Sequence, residues 1–220
     1  MKRSSKLIFL SVLILLSALS LCLAQAVYLK QFDFNDKDAL KKWGEMVLNG
    51  KVEYELVKVG EGGYIRALSQ GSASARYFRI GYKLKEYPII NWKWKALRFP
   101  DKSRAQTDKE KDDYAARIYI IFPYLNFSSS KFIEYVWAED TPIGTVLESP
   151  VGNNVKMVVA RSGEAREEFI SESRNVYEDY IRAFGDEPRR SVGAIAMMCD
   201  ADSTGTSAES LFDDIAIIRK

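Results

Sequence analysis

The sequence predicts a mostly β protein, an antiparallel β-sandwich of jelly-roll type with one amphipathic helix. Three observations predict it. About ten short segments alternate apolar and polar residues and are separated by turn residues. Only two stretches carry a helical repeat. No internal repeat or composition break divides the chain after its N-terminal segment.

Strand patterns run over 27–34, 52–59, 64–69, 75–80, 89–97, 115–122, 132–137, 155–160, 192–199 and 214–218. In Asn91-Trp92-Lys93-Trp94-Lys95-Ala96 the tryptophans take one face and the lysines the other, as a half-buried strand requires. Gly60-Glu61-Gly62-Gly63 reads as a hairpin turn. A short helix is expected after a possible N-cap at Asn35, with Ala39, Leu40 and Trp43 as its apolar stripe. A second runs over 173–184, where Val176, Tyr177, Tyr180, Ile181 and Phe184 recur at helical spacing, and Gly185 with Pro188 ends it. Residues 101–113 are nearly all polar or charged and read as a solvated loop.

The N-terminal segment is different in kind. Lys2, Arg3 and Lys6 precede an apolar run from Leu7 to Leu23, broken only by Ser11, Ser17 and Ser20, and Ala24-Gln25-Ala26 follows. A basic start, an apolar centre and an A-x-A site make a secretory signal peptide over residues 1–26, with the β-sandwich domain over 27–220 and no stable membrane span after cleavage. The expected location is therefore the periplasm or the extracellular medium. Cleavage takes the three cations away and moves the net charge from +2 to −1, so the balance offers no case for nucleic acid. Cys22 leaves with the signal. Cys199, inside an apolar run, reads as a buried structural thiol.

Absences narrow the chemistry. There is no histidine, which removes Ser-His-Asp and Cys-His catalysis and histidine-based metal sites. No glycine-rich phosphate loop is present, so a nucleotide partner has no support. Any metal is a hard cation held by oxygen, with calcium the candidate outside the cytoplasm.

Four groups of residues are candidate sites. Asp200-Ala201-Asp202-Ser203-Thr204-Gly205 has oxygen side chains at alternate positions before a glycine, like the start of a calcium loop. Asp200, Asp202, Thr204 and the nearby Asp213 are the candidate ligands, and a plain turn between strands is the alternative. Tyr135 with Trp137, and Trp92 with Trp94, are aromatic pairs two apart that form either a platform for sugar rings or core. Lys93 and Lys95, with Arg117 and Tyr119, form a basic aromatic surface for an acidic glycan if their strand faces align. Arg161, Arg174 and Asn175 sit in polar clusters flanking the long helix, where they serve either an anion or helix capping.

Asp113-Tyr114-Ala115-Ala116-Arg117-Ile118-Tyr119, Ser173-Arg174-Asn175-Val176-Tyr177-Glu178-Asp179-Tyr180, Asp200-Ala201-Asp202-Ser203-Thr204-Gly205 and Trp92-Lys93-Trp94 together resemble the family of exported bacterial proteins called domain of unknown function 3047. The resemblance implies a domain and its extent, and no activity. Phe212-Asp213-Asp214-Ile215-Ala216-Ile217 loosely resembles the last strand of jelly-roll carbohydrate-binding modules. The functional expectation is a non-catalytic glycan-binding or envelope-associated module whose partner is a polysaccharide. One alternative is a polysaccharide lyase or a glycoside hydrolase, the latter pairing Glu134 with Glu148 or Asp113. Another is a structural periplasmic protein that binds a partner protein through an exposed apolar patch.

Overall fold

The computed structural model describes residues 27–219, so the expected signal peptide lies outside the described residues. The chain forms a β-sandwich of jelly-roll type, as expected. The six-stranded sheet contains β1 (Tyr28–Phe32), β3 (Glu53–Val59), β4 (Gly62–Gln70), β6 (Ile89–Arg98), β11 (Ile170–Asn175) and β13 (Ser207–Ile218). Its order is β11-β6-β13-β4-β3, with β1 also paired to β13. The seven-stranded sheet contains β2 (Gly44–Asn49), β5 (Ala73–Tyr82), β7 (Arg117–Phe122), β8 (Lys131–Ala138), β9 (Val146–Glu148), β10 (Val155–Ser162) and β12 (Val192–Asp200). Its order is β2-β5-β12-β7-β8-β10-β9. The pairings are antiparallel except β8 with β10, which run parallel; the connection between them returns along the sheet and forms β9 on the way.

Period-two alternation explains most of these strands. On β6, Ile90, Trp92, Trp94 and Ala96 are buried while Lys93 and Lys95 point outward. On β8, Ile133, Tyr135 and Trp137 enter the same core from the opposite sheet. Trp94 meets Trp137 with ring centroids 5.7 Å apart, and Trp92 meets Tyr135 at 5.2 Å. Both aromatic pairs proposed as sugar platforms are thus core. None of these rings has more than 1% of its surface in water, so neither Tyr135 nor Trp137 offers a plane to a ligand. Cys199 is likewise fully buried, and burial pushes its thiol pKa far up, away from reactivity.

Two helical expectations change. Residues 35–43 form successive turns with bonds such as Trp43 N to the Leu40 carbonyl at 3.0 Å, three residues apart, rather than a helix. Trp43 is nonetheless buried, 5.0 Å from Phe32, so the apolar stripe faces the core without the helical conformation. The second helix, α1 (Val176–Phe184), starts three residues later than expected, because 173–175 finish β11 against β6. Asn175 caps it: its side chain accepts from Glu178 N and donates to the Glu178 carboxylate. Gly185 closes it at φ +74°, and its N–H donates to the Ile181 carbonyl. Among the described residues no helix is long and apolar enough to cross a membrane.

Replacing Trp94 by Ala should cost about 3–5 kcal/mol of stability. Lys95→Ala, on the wet face of the same strand, should cost under about 0.5 kcal/mol. Urea unfolding of both variants checks this, and equal costs would contradict the assignment of faces.

Candidate functional site

β7 sends Ile118, Ile120 and Phe122 into the core, which turns Arg117, Tyr119 and Ile121 to the outer face of the seven-stranded sheet. Arg117 is nevertheless only 3% exposed. Its Nε and Nη2 donate to the two oxygens of Asp200 at 2.8 and 2.6 Å, a bidentate pair with the end of β12. Nη1 donates to Glu134, which the register places on neighbouring β8 opposite Tyr119. Nη2 also donates to the Asp112 carbonyl at 2.6 Å, and the Asp112 carboxylate lies 3.4 Å from Nη1. The Tyr114 ring covers the guanidinium at 4.7 Å, and Lys102 Nζ lies 4.3 Å from the same ring.

One cation thus faces three carboxylates away from water. Burial opposes the charge on Arg117, but Asp200 and Glu134 more than restore it and hold its pKa well above normal. Burial raises Asp200 to about 7, reinforced by Asp113 and opposed by Arg117. Burial likewise raises Asp112 to about 6, with Arg117 opposing and Glu134 and Asp113 adding to it.

Asp113, fully buried, anchors the next turn. It accepts from Ser203 N at 3.1 Å and from Thr204 N and Oγ1, both at 2.7 Å. Of the expected calcium ligands, Asp200 and Asp202 come together, with carboxylate oxygens within 4.8 Å of Asp113. Asp200, however, already spends both oxygens on Arg117 and one of them on Tyr114 N as well, and Asp202 accepts from Asn49 at 3.1 Å. Thr204 serves Asp113. Asp213 belongs to the other sheet, in a bulge of β13 where Asp214 adopts φ +48° and pairs with Lys93 at 2.7 Å. The alternate oxygens are therefore committed within the protein: Asp200 to Arg117, Asp202 to Asn49 and Thr204 to Asp113, which is the plain-turn alternative, and Asp213 is no part of it.

The basic aromatic surface does not assemble. Lys93 and Lys95 lie on the outer face of the six-stranded sheet and Arg117 and Tyr119 on that of the seven-stranded sheet, so the sandwich separates them. Arg161 donates to Glu172 at 2.7 Å and ties β10 to β11 across the sheet edges. Arg174 grips both oxygens of Asp179 at 2.9 and 2.6 Å; Tyr135 and Arg182 donate to the same carboxylate at 2.8 Å each. Arg174 and Asn175 are therefore a clamp and a cap for α1, bordering a recess of about 370 Å³. The Tyr135 phenol is fully buried and its pKa is pushed up by burial and by Asp179, opposite to what proton abstraction by a lyase needs. Glu134 and Asp113, the proposed hydrolase acids, are both engaged out of reach of solvent.

A groove lies elsewhere on the outer face of the seven-stranded sheet. It has a volume of about 670 Å³ and runs between the charged loop 101–113 and the connection from β8 to β10. Its apolar floor is Tyr114, Ala138, Leu147 and Met157, part of a small cluster on this face. Its walls carry Asp108, Lys111 and Asp112 on one side and Glu139, Asp140, Thr141 and Glu148 on the other. None of the candidate ligand-binding residues lines it. The charge run 101–113, expected as a solvated loop, is indeed mostly exposed, but its end is drawn in at Asp112 and Asp113 and so borders the groove.

The pattern of one protein family, protein of unknown function (DUF3047), matches residues 41–216, and the chain belongs to this family. No curated protein matches the chain. Similar solved structures include a family 30 carbohydrate-binding module of the cellulosomal cellulase Cel9D-Cel44B of Clostridium thermocellum, 10% identical with a TM-score of 0.45 over 81% of this chain and 92% of that one. The endoglucanase Cel12A of Rhodothermus marinus is 11% identical with a TM-score of 0.45 over 81% and 96%. The glycoside hydrolase domain of Endo-D from Streptococcus pneumoniae is 8% identical with a TM-score of 0.39; 80% of this chain spans 21% of that one.

Removing Arg117 should destabilise the fold by about 3–5 kcal/mol, because it leaves buried carboxylates without their cation, and Lys should not restore the bidentate pair. An acid with a folded-state pKa near 7 and an ordinary value of 3.8 binds a proton preferentially in the folded state between those limits. Its contribution to stability is therefore present at about pH 4 and lost as pH rises towards 7. Asp200→Asn should flatten that part of the stability profile, read as urea midpoints against pH; unchanged slopes would contradict it.

Proposed function

We propose that this DUF3047 protein is an exported glycan-binding module, working in the periplasm or the medium, and that the groove on its seven-stranded sheet holds the glycan. The observation that carries the reading is the groove's composition. Sugars present C–H-rich faces that pack on apolar surface and hydroxyls that bond to carboxylates and amines. An apolar floor of Tyr114, Leu147 and Met157 between polar walls suits both. The walls are held in place: Arg117 and Asp113 tether one side, and β8, β9 and β10 carry the other. Pre-positioned walls reduce the ordering cost of binding.

A hydrolytic reading has one observation in its favour. Asp112 lines the groove with a pKa raised to about 6, the range of a proton donor to a leaving group. Across the groove stand Asp140, and Glu139 and Glu148 already paired with Lys102 and Lys156, as the carboxylates that would partner it. Release of reducing ends from a polysaccharide, lost in Asp112→Asn, distinguishes hydrolysis from binding alone.

Thr141→Trp, which fills the groove, should abolish retention on polysaccharide affinity gels without lowering the unfolding temperature. Lys93→Ala, on the opposite face of the sandwich, should leave retention unchanged. Retention that survives Thr141→Trp would remove the groove from the account.

A further inference from the structure

We infer that the glycan held by this groove carries protonated amines, as in a chain of unacetylated amino sugars. The inference rests on the glycan-binding reading and concerns the charge of its ligand. Seven charged side chains line the groove: Lys102, Lys111, Asp108, Asp112, Glu139, Asp140 and Glu148. Lys102 is spent locally, 3.0 Å from Glu139 and stacked on Tyr114. Glu148 is answered from outside the lining by Lys156. That leaves Asp108, Asp112 and Asp140 against Lys111 alone. Asp112 does not cancel, because the guanidinium beside it is shared with Asp200 and Glu134.

A ligand in the groove displaces water from these carboxylates, which strengthens whatever charge interaction remains. A uronate would bring like charge to three acids. A neutral sugar would offer hydroxyls only. An ammonium group offers three donors and a full positive charge, and charge-assisted bonds of this kind are about twice as strong as neutral ones. The apolar floor separates such a ligand from a flexible cationic chain: a pyranose ring would pack on Leu147 and the exposed edge of Tyr114 while its amine reached a wall. The acidic glycan expected from Lys93, Lys95 and Arg117 fails on the same grounds, since those cations lie on the far face or are consumed.

Titration calorimetry of the protein with four oligomers of matched length tests this: glucosamine, N-acetylglucosamine, galacturonate and lysine. The expected result is glucosamine oligomer binding at least tenfold tighter than the acetylated form, no binding of galacturonate, and weaker binding of oligolysine. Asp140→Asn, at a groove wall away from the Arg117 cluster, should cut the preference for the free amine several-fold, and Asp112→Asn should do the same if it folds. Raising the salt should erode the preference. Equal or tighter binding of the acetylated or the acidic oligomer overturns the inference but leaves the groove as a glycan site, provided Thr141→Trp removes that binding. Oligolysine binding as tightly as the amino sugar also overturns it, since the groove would then read charge without the ring. Failure of every sugar oligomer to bind overturns the glycan-binding reading itself.

Discussion

Arg117 brings a full positive charge to a place that water hardly reaches, and the elements around it are arranged by the need to answer that charge. Asp200 answers from the end of β12, Glu134 from the neighbouring strand β8, and Asp112 from the loop. The loop contribution has the widest effect. A highly polar segment would otherwise remain in solvent, but two of its residues are committed to the interior: Asp112 to the guanidinium and Asp113 to the backbone of the following turn. The segment becomes a wall, and the wall makes the groove. A buried pair of this kind is weak evidence for net stability against an apolar substitute. Its value here is positional, since it fixes a loop and two strand ends with respect to one another.

A second carboxylate repeats the arrangement with the signs exchanged. Asp179, at the start of α1, gathers Arg174, Arg182 and the Tyr135 hydroxyl. The helix thereby packs on the end of the sandwich in one orientation, although it makes few contacts beyond its own face. The stretches that resemble the family fall largely on these two networks: Asp113, Tyr114 and Arg117 with Asp200 in one, Arg174 and Asp179 in the other. Those stretches are best understood as the polar framework of the domain, while the far wall of the groove, from Glu139 to Glu148, lies outside them.

Strands with one wet and one dry face were legible in the sequence because their alternation is a direct record of burial. Trp92 and Trp94 against Lys93 and Lys95 is the clearest case. The strands that escaped notice lack that record. β2 is an edge strand with Met46, Val47 and Leu48 all exposed, β9 has three residues, and β11 is polar on both faces because it lies at the rim. The sites were harder to read. Arg117 looked like a surface cation because its strand face is outward, and nothing local announces that Asp112, Glu134 and Asp200 will converge on it from three segments. Tyr135 and Trp137 looked ambiguous since both faces of β8 are buried, one by the other sheet and one by the Arg117 cluster. The oxygen pattern at Asp200–Thr204 marks a turn, but its partners Arg117, Asn49 and Asp113 come from three distant segments and leave no local sign.

The pairing of β1 with β13 has a consequence of its own. Tyr28 lies opposite Ile218, so the first and last described strands are neighbours, and β13 also separates β6 from β4 in the middle of its sheet. The six-stranded sheet cannot close until β13 is available. Its folding is therefore governed by contacts between strands far apart in sequence, and belongs among the slow topologies. The same adjacency brings Val27 and Arg219 together, the Arg219 N–H donating to the Val27 carbonyl at 2.9 Å: a short linker could join these two residues, and a cut at an exposed turn would then sever no strand.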